Sequence, residues 1–469
     1  MTTLSVEAAG QISSLTSVPM LGLSDEERAI VAELGSRIIQ RRADLLAHDA
    51  YYEGAQRINN LGIAVPPNLE GLHIIANWPR LAVDSIEERL DVEGFRFPDT
   101  GAADQSLWDI WQENDLDEES SLAHIDSLVY GRSYVTVGTN PDSDTPLITV
   151  ESPRDIAVTY DARLRRVDAA LRLFNADRYG VEHGAVIYLP DQTITVERED
   201  RGDAWVVTNR DRHNLGFAPV VRLVNRQRTA ERFGSSEMAD VVPLTDAAAR
   251  KLLALEVSAE YFAAPQRYIL GASEQAFVDP DGNAVTAWET YLGRFLAMER
   301  DENGELPSVG QFAAHDFTPY TNVIHMYAQL VASVTGMPPH YLGFTPDNPA
   351  SADAIRSGEA RLVKRAERKQ RAFGGAWEQV MRLALLIRDG RLPDGSQRLE
   401  TLWRDAATPT QAAQTDAAVK LVAAGVLPPF SDVALELIGF SEVTRERIRA
   451  ERKELQSVQP AAPEHISLS

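Results

Sequence analysis

The residues that could carry chemistry fall into two charged stretches of opposite sign, the first of them acidic. Residues 104–119 contain seven acidic side chains and no basic one. Two neighbouring carboxylates can work as a general acid and a general base, so this stretch is a candidate hydrolytic site. A helix face exposed to solvent or to a partner has the same pattern, and Trp108 and Trp111 would mark its buried side. We favour this second interpretation.

The second stretch is basic and lies between Asp353 and Phe373. Seven basic residues stand there against three acidic ones, a net of about four positive charges on a predicted helix. The basic residues are Arg356, Arg361, Lys364, Arg365, Arg368, Lys369 and Arg371. We predict an electrostatic seam that pairs either with the acidic surface of a neighbouring subunit or with DNA. The alternative is an ordinary solvated helix face.

The motifs of common enzymes are missing from the sequence. No Gly-Lys dipeptide occurs, so there is no phosphate-binding loop of the Walker type, and no GxSxG, HExxH or GxGxxG is found. The chain has no cysteine, which excludes disulfide scaffolds, thiolate metal sites and a cysteine nucleophile. Its nine histidines show no metal-binding spacing. We therefore predict no catalytic residue, no cofactor and no metal.

The charge balance restricts the kinds of partner. The formal net charge is −23, which argues against a tight clamp on nucleic acid but is compatible with a passage through which DNA slides. The least charged window is 319–336, and its Thr, Asn, His, Gln and Ser make it a poor lipid span. We predict no membrane partner and a helix buried among other helices.

Hydrophobic periodicity predicts an α+β chain. A helix over 24–52 begins with a capping box at Ser24 and Glu27, and period-two runs over 133–224 predict an antiparallel sheet. Further helices are predicted at 78–90, 120–130, 237–262, 319–336, 353–388, 410–424 and 431–455. The helix at 237–262 carries an apolar stripe from Val241 to Phe262.

Several segments follow one another in an order that is more specific than any one of them. They are YYEG at 51–54, NWPRLAVDSIEERLDVEGFR at 77–96, DSLVYGRSYVTVG at 126–138, ESPRDIAVTYD at 151–161, RHNLGFAPVVRLVNRQR at 212–228, FGSSEMADVVPLTDAAARKL at 233–252, TGMPPHYLGF at 335–344 and NPASADAIRSGEARLVKRAERKQRAFGGAWEQVMRLAL at 348–385. This series resembles the portal proteins of long-tailed bacteriophages over about residues 25–390.

The resemblance implies a portal-type α+β subunit with a defined order of parts. These are an N-terminal arm (1–24), a wing of helices and antiparallel sheet (25–236), a stem helix (237–264), a small α/β clip (265–316), a second stem helix (317–336), a tunnel loop (337–352), a long wing helix with its connector (353–405), crown helices (406–456) and a disordered tail (457–469). Four prolines restrict the tunnel loop, which is longer than a simple helix connection needs.

The resemblance also implies the function and the partners. Twelve copies would form a ring at one capsid vertex, through which double-stranded DNA passes without sequence readout during packaging, retention and ejection. The implied partners are the large terminase, which would carry the ATPase, a head–tail adaptor, and the major capsid or scaffold protein. The subunit would assemble in the host cytoplasm and reside in the virion at the head–tail junction. The implied DNA-facing residues of the tunnel loop are Pro338, Pro339, His340, Tyr341, Phe344, Asp347 and Asn348.

Two other interpretations remain at this point. One is a different oligomeric head or connector protein without stem and tunnel loop, which the two helices flanking a clip-like insert argue against. The other is an α/β hydrolase that uses carboxylates within 104–119, which a cleft with shifted carboxyl pKa values in one monomer would favour.

Overall fold

A computed structural model describes residues 19–56, 74–98, 103–177, 182–200, 202–262, 267–270, 308–311, 315–343, 352–407, 411–440 and 442–458. It divides into a larger unit, made of Met1–Gln56, Asn77–Val242 and Val331–Ser469, and a smaller unit, made of Arg57–Ala76 and Pro243–Leu330. Most of the predicted clip, the second half of the predicted tunnel loop and the tail beyond residue 458 lie outside the described residues.

Helices and strands alternate irregularly along the chain. The helices are α1 (Asp25–Tyr52), α2 (Trp78–Glu87), α3 (Gln105–Glu113), α4 (Leu116–Tyr130), α5 (Val242–Phe262), α6 (Thr318–Thr335), α7 (Ala352–Asp389), α8 (Gln411–Ala423), α9 (Asp432–Leu437) and α10 (Glu442–Val458). The strands are β1 (Met20–Leu21), β2 (Val92–Arg96), β3 (Arg132–Gly138), β4 (Leu147–Glu151), β5 (Ile156–Asp161), β6 (Arg166–Ala176), β7 (Glu182–Tyr188), β8 (Gln192–Glu197), β9 (Trp205–Arg212), β10 (Val220–Val224), β11 (Arg267–Leu270), β12 (Ser308–Gln311) and β13 (Glu400–Trp403). The α+β prediction is confirmed.

The period-two region folds into two sheets of the larger unit. The six-stranded sheet has the order β1-β9-β8-β7-β6-β5 and the three-stranded sheet the order β10-β3-β4. Every pair in them is antiparallel except β1 with β9. Helix α1 packs on the larger sheet, and their shared core includes Leu34, Ile38, Leu171, Ile187 and Trp205, all at most 3% exposed.

Local signals account for the start of α1. The Ser24 hydroxyl accepts a hydrogen bond from the amide of Glu27 at 3.2 Å, and the Glu27 carboxylate accepts one from the amide of Ser24 at 2.8 Å. This is the predicted capping box, which satisfies amides that the first turn leaves unpaired. Arg210 of β9 donates to the Glu27 carboxylate at 2.6 Å and so ties the helix start to the sheet.

Three predicted helices differ from the structure. The helix predicted at 120–130 begins earlier, at Leu116, and the left-handed backbone of Asp115 (φ 52°) separates it from α3. The predicted helix 431–455 is broken at Gly439 (φ 90°) into α9 and α10. The helix predicted from 237 begins only at Val242, since Pro243 suits a first turn, where no amide donor is needed.

The apolar face of α5 also differs from the predicted stripe. The positions that the chain buries are Thr245, Ala248, Ala249, Leu253 and Val257, each at most 9% exposed. Val241 and Ala248 of the predicted stripe are buried as expected. Leu244, Leu252, Leu255 and Ala259 of the stripe are only half-buried, and Phe262 is 44% exposed. The folded chain therefore buries the face through Thr245, Ala249 and Leu253 more fully than the C-terminal half of the predicted stripe.

Candidate interaction site: a basic groove around a buried ion cluster

The long helix α7 carries the basic stretch, and it contacts the acidic helix α3 through another of its sides. Trp111 of α3 packs edge-on against Trp377 of α7, with ring centroids 5.0 Å apart, and both side chains are fully buried. Arg368 precedes Trp377 by nine residues, which is about two and a half helical turns. The exposed Arg368 therefore points away from the acidic helices α3 and α4.

Two of the predicted seam residues turn inward to one carboxylate. Glu237, which lies between β10 and α5, is 2% exposed. Lys369 donates to Glu237 Oε2 at 2.8 Å, and Arg365 donates to Glu237 Oε1. Asn225 Nδ2 donates to the same Oε2 at 3.0 Å, and Lys369 also donates to Asn225 Oδ1. Arg365 and Lys369 are therefore engaged within the chain instead of being free to pair with a partner, as the predicted seam required.

The electrostatics of this cluster favour the charged carboxylate. Burial on its own raises the pKa of Glu237, but the charges of Lys369 and Arg365 and the hydrogen bonds they donate outweigh it and lower the pKa to about 2. The pKa of Lys369 is also lowered, because the loss of hydration outweighs its attraction to Glu237. The cluster is thus a buried ion group whose anion holds two cations in place.

Two arginine side chains of α7 also cap the C-terminal end of α6. Arg361 donates to the carbonyl of Ser333 at 2.7 Å, and Arg365 donates to the carbonyl of Val334 at 3.0 Å and to that of Thr335. The last carbonyls of a helix lack partners within the helix and carry partial negative charge. Gly336 follows with φ 73°, and a Cβ there would lie 2.9 Å from the side chain of Arg361.

Around the cluster lies an open groove of about 950 Å³ in the larger unit. We call it the basic groove, because nine cationic residues line it against two acidic ones, Glu237 and Asp240. The cationic residues are Arg165, Arg166, Arg222, Arg226, Arg361, Lys364, Arg365, Arg368 and Lys369. Five of them come from α7 and belong to the predicted seam. Of the other predicted seam residues, Arg371 is exposed outside the lining, and the side chain of Arg356 lies outside the described residues.

The four cations that the sheets contribute were missed from the sequence. Arg165 and Arg166 stand at the start of β6, while Arg222 and Arg226 lie on or just after β10. Arg222 stacks over the ring of Tyr160 at 3.3 Å from its centroid. The run RLRR at 163–166 was a visible signal, but nothing in the sequence places it beside α7.

Some of the cations that line the groove already form ion pairs within the chain, and others do not. Arg226 pairs with Asp240 at 2.7 Å and Lys364 with Glu367 at 2.6 Å. Arg165 and Arg368 are exposed and have no ion pair with any described residue. These two are the cations most available to a ligand.

The first half of the predicted tunnel loop packs onto the larger unit. Residues Pro339–Leu342 form a short 3-10 helix after the buried Pro338. The Tyr341 hydroxyl donates to Glu359 at 3.1 Å and accepts a hydrogen bond from Arg89 at 3.1 Å. Pro339 and His340 are exposed. Tyr341 therefore anchors the loop, and Phe344, Asp347 and Asn348 lie outside the described residues.

Two carboxylates of the acidic stretch accept hydrogen bonds that stabilise the fold. Asp104 caps α3 by accepting from the amide of Leu107 at 3.0 Å, and Asp117 accepts from the indole of Trp111 at 2.8 Å. Within the described residues, no group of three or more His, Asp or Glu side chains is arranged to hold a metal ion. In the same part of the chain, no helix combines the length and the apolar character needed to cross a bilayer.

Solved structures with a similar course of the chain come from gene transfer agent particles. A chain of the virion of the native particle aligns with a TM-score of 0.43 and 14% identity, over 93% of this chain and 99% of that one. A chain of the neck of the native particle, computed with C12 symmetry, aligns with a TM-score of 0.41 and 16% identity, over 77% of this chain and 88% of that one.

Curated sequences are much closer. The portal protein of Mycobacterium phage D29 is 40% identical over 430 residues, 89% of this chain and 87% of its own length. The portal protein of Mycobacterium phage L5 is 39% identical over 445 residues, 92% of this chain and 90% of its own length. The family described as phage portal protein, SPP1 Gp6-like, matches residues 36–459. The chain therefore belongs to the SPP1 Gp6-like family of phage portal proteins.

Proposed function

We propose that this portal subunit of a tailed phage assembles into a closed ring, of twelve copies, that forms the DNA channel at one vertex of the capsid. The family match over residues 36–459 supports the proposal. In the ring the protein acts as a structural conduit and catalyses no reaction itself. Its partners are other copies of itself, double-stranded DNA, the large terminase, a head–tail adaptor, and the major capsid or scaffold protein.

The observation that carries ring assembly is an uncovered apolar column on α6. Met326, Leu330 and Val334, spaced four residues apart, are 47%, 43% and 40% exposed in the single chain. The helix has no Asp, Glu, Lys or Arg that would favour contact with water. Covering a large aliphatic side chain completely stabilises by roughly 1.5–3 kcal/mol. Repeated around a ring, this column supplies a driving force for association.

Contacts within the smaller unit support the assignment of a stem and a clip. The end of α5 meets the start of α6, where the Ser258 and Tyr320 hydroxyls are 3.4 Å apart and the rings of Phe262 and His315 stack with centroids 4.7 Å apart. Strands β11 and β12, which lie between the two helices in the chain, pair antiparallel. We assign α5 and α6 to the stem and the segment between them to the clip.

The remaining parts follow the same proposal. Residues 25–236 and α7 form the wing, and residues 337–352 form the tunnel loop at the channel. The helices α8, α9 and α10 form the crown. The acidic chain suits a channel wall that repels phosphate and so allows DNA to slide through.

A charge placed in the apolar column tests ring assembly. Leu330→Glu puts a carboxylate into the column, and we expect it to abolish rings in negative-stain images and in sedimentation velocity. Gln329→Glu adds the same charge at the adjacent exposed position, outside the column. We expect this control to assemble like the wild type. Rings from Leu330→Glu in normal yield would contradict the proposed role of α6.

The tunnel loop needs a separate test. Replacing residues 344–349 by a Gly-Ser linker leaves the Tyr341 anchor intact, so we expect normal rings but reduced packaging or retention of DNA. Ring yield and packaged genome are measured in the same mutant phage. Normal packaging would reduce the loop to a connector, and loss of rings would make it part of the fold.

A further inference from the structure

We propose that the basic groove receives the acidic edge of a second copy of this chain, and that this contact sets the register of neighbouring wings. We define the acidic edge as the exposed carboxylates of α3 and the start of α4, which are Asp109, Glu113, Asp115, Asp117 and Glu118. The inference rests on the proposed ring, and it names a contact that the ring needs.

The charges of the two surfaces are complementary. The groove has a lining of nine cations and two anions, in a chain whose net charge is −23. The acidic edge presents five exposed carboxylates, and the stretch 104–119 that contains them has no basic residue. Oppositely charged patches steer association and fix the register of an interface.

The positions of the two surfaces also suit a ring. The acidic helices pack on the side of α7 that carries Trp377, while Arg368 in the groove lies on its opposite side. A molecule with complementary patches on different faces makes head-to-tail contacts, and such contacts close into a ring when the rotation between copies allows it. Because the two patches lie on opposite sides of α7, a head-to-tail contact suits them better than a twofold contact.

The size of the groove favours carboxylate side chains over DNA. A space of about 950 Å³ is comparable to a small-ligand pocket and admits protruding side chains rather than the body of a duplex. The exposed Arg165 and Arg368 have no ion pair with any described residue, so they are available to carboxylates that enter. Arginine is well suited to such contacts, since its planar fork binds carboxylates by two hydrogen bonds.

Charge reversal on each side is the test. The groove variant carries Arg165→Glu and Arg368→Glu, and the edge variant carries Glu113→Arg and Glu118→Arg. We expect each variant alone to need a roughly tenfold or higher protein concentration for half-maximal ring assembly, because like charges then face each other. Mixed in equal amounts, the two variants should form rings again, since every contact in an alternating ring is either wild type or fully reversed.

A matched control separates position from net charge. Arg163→Glu with Arg371→Glu changes the same number of charges in the same turn between β5 and β6 and on the same helix α7, at exposed positions outside the groove. We expect this control to assemble like the wild type. Thermal unfolding of each variant checks that the subunit remains folded.

Three outcomes would overturn the inference. If the groove variant assembles normally but its rings bind or retain less DNA, the groove is a phosphate site. If the mixture does not restore rings, the two surfaces are not partners. If the groove variant assembles and binds DNA normally, the groove is solvated. In all three cases the proposed function still holds as long as the wild-type protein forms rings. If the wild-type protein forms no rings, the proposed function itself is contradicted.

Discussion

Replacing Glu237 by Gln removes the anion from the buried cluster and leaves its two cations facing each other. The cations beside Glu237 lower its pKa to about 2, against an ordinary value of 4.5, so the carboxylate is charged at neutral pH and the fold favours that charge. Breaking a buried ion pair by removing one partner costs about 3–5 kcal/mol in other proteins. We therefore expect Glu237→Gln to lower the free energy of unfolding of the larger unit by about 3–5 kcal/mol.

The effect should depend on pH with a defined sign. Because the pKa of Glu237 is lower in the folded chain than in the unfolded chain, its stabilisation is fully present above about pH 4.5 and is lost as the pH falls towards 2. The difference between wild type and Glu237→Gln should therefore shrink over the same range. Urea unfolding followed by tryptophan fluorescence measures the difference in free energy of unfolding between the two proteins. The signal reports on the larger unit, because Trp111, Trp205 and Trp377 are buried there.

Glu367→Gln is the matched control, because it removes a carboxylate from an exposed pair on the same helix. Glu367 pairs with Lys364 at 2.6 Å, but the two side chains are 41% and 59% exposed. Such pairs contribute only about 0–1 kcal/mol. A loss below about 1 kcal/mol for Glu237→Gln, similar to the control, would refute the assigned role of the buried cluster.

Three further substitutions test other parts of the account. Burial raises the pKa of Asp126 to about 6, so ionisation of this carboxyl opposes folding. In urea unfolding, the free energy of unfolding of Asp126→Asn should therefore rise by up to about 2 kcal/mol relative to wild type between pH 4 and pH 7. Tyr341→Phe removes the hydroxyl that Arg89 and Glu359 share and should increase proteolytic cleavage after residue 343, with ring yield unchanged. Gly131→Ala, at φ 89°, would place a Cβ 2.8 Å from the backbone of Ser235 and should cost more than about 2 kcal/mol in thermal unfolding.

Local patterns predicted much of the fold. The capping box at Ser24, the period-two runs after Ser133 and the uncharged helix before Gly336 each arise from neighbours in sequence, and all three are present in the structure. The breaks at Asp115 and Gly439 were missed. Asp115 adopts a left-handed backbone that nothing beside it in the sequence demands, and a single glycine does not by itself end an amphipathic pattern.

The candidate site was predicted only in part. The basic character of α7 is visible in the sequence, but whether a given cation turns inward depends on contacts with distant residues. Glu237 is 132 residues from Lys369, and no local pattern indicates that pair. Arg165 and Arg222 reach the same groove through the arrangement of two sheets, which strand periodicity does not specify.

The central claim is that copies of this chain form a closed ring, and the mass of the wild-type assembly tests it most directly. Native mass spectrometry at micromolar concentration should give a single main species whose mass is a whole multiple of the 51.7 kDa chain, with twelve copies expected. Negative-stain images of the same sample should show a central hole. A single species at 51.7 kDa, or an open-ended series of masses without a closed state, would contradict the account.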